Sequence, residues 1–275
     1  MTTAKDPIHG TEDGLPRLLE VMRRLRAPDG CPWDREQDFA SIARYTIEEA
    51  YEVADAIARE DWAELKYELG DLLLQTVFHA RIAEERGLFD FHAIAAAAAE
   101  KMINRHPHVF GDESPEKSAD QQTLDWEARK AAERAARAQA GVLDDVALNL
   151  PALTRAEKLQ KRAARVGFDW DNADAVLDKL IEECAELAEA RHRLDADAIE
   201  DEMGDILFVL ANLARHLKVD PEAALRRTNA KFTSRFKFIE AALASQNRTP
   251  ERASLAEMES LWQAAKMAPT DRPEK

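Results

Sequence analysis

Five carboxylates crowd two neighbouring stretches of this chain. Glu48, Glu49 and Glu52 form an EExxE run, and Glu68 and Asp71 form ExxD a short way on. Side chains three and four residues apart share a helix face. The three glutamates therefore project from one side of a helix, and Glu68 and Asp71 from one side of its partner. Val53, Ile57, Leu65, Leu69 and Leu72 stand among them, which puts the acidic patch at a seam between helices and not out in solvent. Two carboxylates about 4 Å apart repel by about 4 kcal/mol at an effective dielectric near 20. Four or five such groups call for cations at their centre, and oxygen-only donors suit Mg2+ or Mn2+ better than zinc.

The pattern occurs twice. Glu182, Glu183, Glu186, Glu202 and Asp205 repeat all five positions, each displaced by 134 residues (48 to 182, 71 to 205). One EExxE alone reads as a solvated face, because glutamate is a good helix former. Two complete quintets at constant displacement argue instead for a metal site and an internal duplication. A di-iron carboxylate centre is the rival, and it needs Glu-x-x-His on two helices. Glu189 and His192 have that spacing, but the first half carries Asp55 and Ala58 there, and the partner helices carry no histidine in their ExxD motifs.

The elements that hold these residues are all helical. Glycine and proline number only 9 and 11, and no stretch alternates with β-branched enrichment long enough for a sheet. Each acidic stretch reads as an αα-hairpin: one helix to Arg59 and another from Trp62, then one to Arg193 and another beyond a turn at Asp195 to Asp197. Asp61 with Glu64, and Ser254 with Glu257, resemble capping boxes. Asp90 starts a helix from Phe91 to about Arg105 that Pro107 ends, and Asp220-Pro221 opens another. A two-helix hairpin cannot bury its own face, so each half requires something like a four-helix bundle. The halves are expected at 1–140 and 141–275, joined through the charged segment DWEARKAAERAARAQAG.

The chain has 275 residues, 45% hydrophobic and 33% charged, which fits a globular protein with a proper core. Its net charge of −15 repels polyanions, so nucleic acid and anionic membrane are poor partners. No apolar run approaches the roughly 20 residues that span a bilayer. No secretory signal is visible and two cysteines build no disulfide framework, so a cytoplasmic setting is expected.

EExxE, a spacer and ExxD in an all-helical chain resemble the MazG family of nucleoside triphosphate pyrophosphohydrolases. The likeness extends to MRRLRAPDGCPWDREQ, RHPHVFGD, VGFDW and NLARHL, which look like the two-repeat bacterial type. The acidic motif itself is shared with dimeric dUTPases and phosphoribosyl-ATP pyrophosphatases, so it specifies the chemistry better than the base. The resemblance implies tandem repeats of the all-α pyrophosphohydrolase fold, Mg2+ dependence, a homodimer, and cleavage of NTPs or dNTPs to NMP or dNMP and pyrophosphate. It makes Glu183, Glu186, Glu202 and Asp205 metal ligands and Glu182 the general base, with Glu49, Glu52, Glu68, Asp71 and Glu48 as counterparts. A different class remains possible: a helical-repeat scaffold that keeps a structural metal site.

Nucleotide contacts require cations and an aromatic plane. Lys231 and Arg235 lie i,i+4 on the helix opened by Asp220, Lys179 lies one turn before Glu182, and Trp262 is on the last helix. Lys101, Arg105 and Trp126 stand in comparable order in the first half, with Lys101 and Arg105 at a helix end. The second half is therefore expected to hold the working site. His106 and His108 read as loop residues, Cys31-Pro32-Trp33-Asp34 as a packed turn anchored by Trp33, and Cys184 as a core residue.

Overall fold

The computed structural model describes residues 14–112, 118, 121, 122, 125, 129, 141–144 and 146–267. Among them every regular element is a helix. The chain divides into two compact units between Lys130 and Ala131. That division lies in the same charged segment as the proposed 140/141 boundary; most of the segment, Trp126 included, is outside the described residues.

Unit 1 contains α1 (Gly14–Leu25), α2 (Pro32–Glu36), α3 (Phe39–Ala58), α4 (Trp62–Glu85), α5 (Phe91–Arg105) and α6 (Pro107–Phe110). The α3/α4 hairpin is its centre, and α1 and α5 pack on α4. Met22, Ile42, Val77, Phe78 and Ile82 form the buried core, lined by Leu18, Leu19, Phe39, Tyr45, Leu74 and Phe91. Unit 2 contains α7 (Ala152–Ala164), α8 (Ala173–Arg193), α9 (Ala196–His216), α10 (Pro221–Ala244), a short 3-10 turn (Pro250–Arg252) and α11 (Leu255–Met267). Here α8 pairs with α9, α7 packs on α9 and α10, and α11 packs on α10.

Caps set the register of each hairpin. The side chains of Asp61 and Asp195, again 134 apart, accept the amides of Glu64 and Ala198 at the starts of α4 and α9. Just before each cap the chain turns through a left-handed residue that is not glycine, Glu60 at φ 56° and Leu194 at φ 57°. The duplication thus extends to the turns. A full capping box forms at Asp38 and Ser41, which bond reciprocally at the start of α3. At Ser254 only half of the expected box forms, because the Glu257 carboxylate is taken by Arg248 at 2.8 Å.

Three local expectations are corrected. Pro107 ends α5 but also opens α6, so His108 is helical; a proline at the first helical position surrenders only an amide that has no helical partner anyway. Cys184 is exposed, not core, because its neighbour Glu183 takes the inward position on α8. Trp33 keeps 52% of its surface exposed, and its ring meets only the edge of Tyr45, with centroids 6.4 Å apart.

Candidate active site

In each unit the hairpin brings carboxylates from two helices into one group. Oxygens of Glu49 on α3 and of Glu68 and Asp71 on α4 lie within 4.8 Å of one another. In unit 2 the group is Glu183 and Glu186 on α8 with Glu202 on α9, within the same limit. Glu52 and Asp205 fall outside these tight groups but act on them electrostatically. Burial, then the charges of Asp71 and Glu52, raises the Glu49 carboxyl above its ordinary pKa. Burial, then Glu52 and Glu64, does the same to Glu68. Glu202 is raised by burial and by Glu186, Glu183 and Asp205. Carboxyls pushed upward by one another form an unsatisfied negative centre, and an all-oxygen donor set of this kind fits a hard divalent cation.

The two centres differ in their surroundings. In unit 2 the Lys179 ammonium lies 2.8 Å from both Glu182 and Glu183, and these contacts raise its pKa. Glu183 is the buried member at 5% exposure, whereas Glu182 faces solvent. Tyr45 stands at the position equivalent to Lys179 and packs against the unit 1 core. Glu48, like Glu182, is exposed.

The basic residues singled out in the sequence are on α10. Lys231 is exposed, and the Arg235 guanidinium lies 5.4 Å from the centre of the Trp262 ring on α11. Phe232 packs on the same tryptophan at 5.3 Å and on Phe236 at 6.1 Å. Trp262 therefore already supports a cation. In unit 1, Arg105 stands in the last turn of α5 and Lys101 one turn before it.

One cluster went unrecognised in the sequence because it joins two motifs distant along the chain. Asp169 of VGFDW pairs with Arg215 of NLARHL and lies 3.2 Å from His216 Nε2. Burial pushes the Asp169 carboxyl up, but Arg215 and His216 outweigh it and hold it below its ordinary value. Arg215 Nε also donates to Asn212 Oδ1 at 2.8 Å. The loop carrying Phe168 and Trp170 is thereby tied to the end of α9.

The likeness to known proteins covers both units. The profile of the MazG nucleotide pyrophosphohydrolase domain matches residues 37–110 and again 172–239, the two hairpins with their flanking helices. The chain is similar to the nucleoside triphosphate pyrophosphohydrolase of Escherichia coli K12, 50% identical over 94% of this chain and 98% of that one. It is similar also to the nucleoside triphosphate pyrophosphohydrolase/pyrophosphatase MazG of Thermotoga maritima, 42% identical over 90% and 94%. The crystal structure of a mazG-related protein from Thermotoga maritima aligns with 42% of this chain and 98% of its own, at 28% identity and TM-score 0.37. With two domain matches over two acidic hairpins, and whole-length relatives of the same kind, this chain belongs to the MazG nucleotide pyrophosphohydrolase family.

Proposed function

We propose that this protein is a Mg2+-dependent nucleoside triphosphate pyrophosphohydrolase that cleaves NTPs and dNTPs to NMP or dNMP and pyrophosphate, with little base selectivity. The observation that carries the reading is the mutually strained carboxylate group of Glu183, Glu186 and Glu202, in a chain whose full-length relatives bear that name. Glu183, Glu186, Glu202 and Asp205 would hold Mg2+, with Mn2+ as a substitute. Bound there, the ion supplies positive charge for the phosphates and a more acidic water.

The chain's own residues do the rest. Glu182 accepts the proton of the attacking water. The water oxygen bonds to the α-phosphorus as the bridge to the β-phosphate breaks, and the electron pair leaves with pyrophosphate. Lys179 shares its ammonium between the two glutamates and a phosphate oxygen. Lys231 and Arg235 clamp the remaining phosphates, with Arg235 steadied by Trp262. The first-unit group, Glu49, Glu52, Glu68 and Asp71 with Glu48, is the counterpart, and we assign most turnover to unit 2. Its basic pair is held mid-helix, where regular backbone fixes side-chain direction, and not towards a helix end. The enzyme is placed in the cytoplasm as a homodimer.

Products and residues test this together. Chromatography of reactions with a panel of NTPs and dNTPs, with Mg2+ and with chelator, should show NMP and pyrophosphate only with metal. NDP and orthophosphate as first products would sink the reading. Glu183→Gln should lower kcat at least 100-fold, on the scale of losing one positioned catalytic group, and Glu49→Gln much less. The opposite ranking, with both variants folded by circular dichroism, reverses the assignment of the working unit.

A further inference from the structure

Lys179 makes the acidic centre of unit 2 unlike that of unit 1. Its ammonium lies 2.8 Å from an oxygen of Glu182 and 2.8 Å from an oxygen of Glu183. Glu183 is also the buried member of its group with Glu186 and Glu202, whose oxygens lie within 4.8 Å of one another. A lysine four residues before a glutamate is the weaker order for an ion pair on a helix, since the favoured order has the acid first. The contact therefore adds little to α8 as a helix. Its effect is to tie one positive charge to a carboxylate group that attracts cations.

Unit 1 has a neutral residue in that place. Tyr45 stands 134 residues before Lys179. Its ring packs on the unit 1 core and meets the edge of Trp33, and its hydroxyl accepts from Arg44. The Arg44 guanidinium lies 4.5 Å from the centre of the same ring, so its charge rests on the tyrosine. Burial, then Asp71, Glu52 and Glu48, all act on the Glu49 carboxyl in the upward direction.

We propose that Lys179 is a tethered counter-ion that competes with the divalent metal for Glu183, so that unit 2 binds its metal best together with a triphosphate, while unit 1 binds metal alone. The inference rests on the metal-site reading above and adds to it the ranking of the two sites and the order of binding. An ammonium and a metal ion at Glu183 draw on one carboxylate and repel each other. The lysine has the smaller charge, but its attachment to the same helix keeps its local concentration high. A triphosphate changes the balance. Its oxygens give the ammonium another anionic partner, within reach of a long side chain with three rotatable donors. Glu183 is then released to the metal. Such coupling is reciprocal: phosphate strengthens metal binding at unit 2, and metal strengthens phosphate binding by the same factor.

The test titrates Mn2+ alone, without nucleotide, into the whole chain and follows the free ion by electron paramagnetic resonance. Wild type should show two classes of site about tenfold apart in Kd, the scale of one hydrogen bond to a charged group. The weaker class should vanish in Glu183→Gln and the stronger in Glu49→Gln. Lys179→Met retains an unbranched apolar side chain without the charge, and it should tighten the weaker class about tenfold and leave the stronger unchanged. An unchanged weaker class in a variant folded by circular dichroism overturns the proposal, and so does loss of the weaker class in Glu49→Gln. A second measurement follows the ammonium in wild type. Acetylation of Lys179 by acetic anhydride, read by mass spectrometry against the exposed Lys158, should become several-fold faster in Mg2+. Equal rates with and without the ion overturn the proposal. If no variant binds Mn2+, the metal-site reading fails and this proposal with it. If the ranking holds but no NTP is hydrolysed, the proposed function fails and the role of Lys179 stands.

Discussion

Glu202 faces three negative neighbours, and burial together with their charge raises its carboxyl pKa. A group raised in the folded state binds more protons folded than unfolded, so its contribution to stability falls as pH rises through the carboxylate range. Glu49 and Glu68 act in the same sense. Glu85 is pushed up by desolvation, but Arg26 and Arg81 outweigh this and hold it below its ordinary value, so it acts in the opposite sense and loses its contribution as pH falls. Glu202→Gln should therefore raise the melting temperature in chelator at pH 7 while abolishing turnover in Mg2+, and the gain should shrink as the pH is lowered towards 4. A lower melting temperature at pH 7 would show that the repulsion is absent. The carboxylates were legible from sequence because spacings of three and four have one meaning on a helix. The Asp169–Arg215 pair was not, since its members stand 46 residues apart and neither motif alone shows a partner.

The hairpin turns determine how α8 meets α9 and α3 meets α4. Leu194 holds a left-handed conformation, and its side chain is 87% exposed. Such a conformation is unfavourable for a residue with a Cβ by about 1–2 kcal/mol, partly offset by the larger unfolded-state freedom of glycine. Leu194→Gly should stabilise the protein by about 0.5–1 kcal/mol in denaturant titration, and a loss of stability would mean that the leucine has contacts outside its unit. Helix starts at Asp61, Asp90 and Asp220 were readable, because a short acceptor before an apolar run has a fixed job at a helix N-terminus. The α3 box escaped notice because its third position is Ser41 and not Glu or Gln. Turn residues without glycine, such as Glu60, carry no sequence signal at all.

Across the whole molecule, apolar stripes remain uncovered within each unit. Met203, Leu207 and Leu210 run along α9 at 46%, 47% and 40% exposure, beside the acidic face, and Leu69 and Leu73 repeat the first two on α4. Val77 and Phe78, which continue the apolar run that begins at Leu72 on α4 and reads in the sequence as part of such a face, do not belong to it, since both are in the unit 1 core. Exposed stripes of this kind mark interfaces, so light scattering should give twice the 30.9 kDa of one chain at micromolar concentration. A monomeric mass would remove the support for the dimer. The division into two units has a further consequence for heating. Each unit is compact and holds its own acidic centre, so scanning calorimetry should resolve two transitions. A nucleotide should move the peak of the unit that binds it upward and leave the other in place. The half of the chain that works is then the half that its own substrate protects from heat.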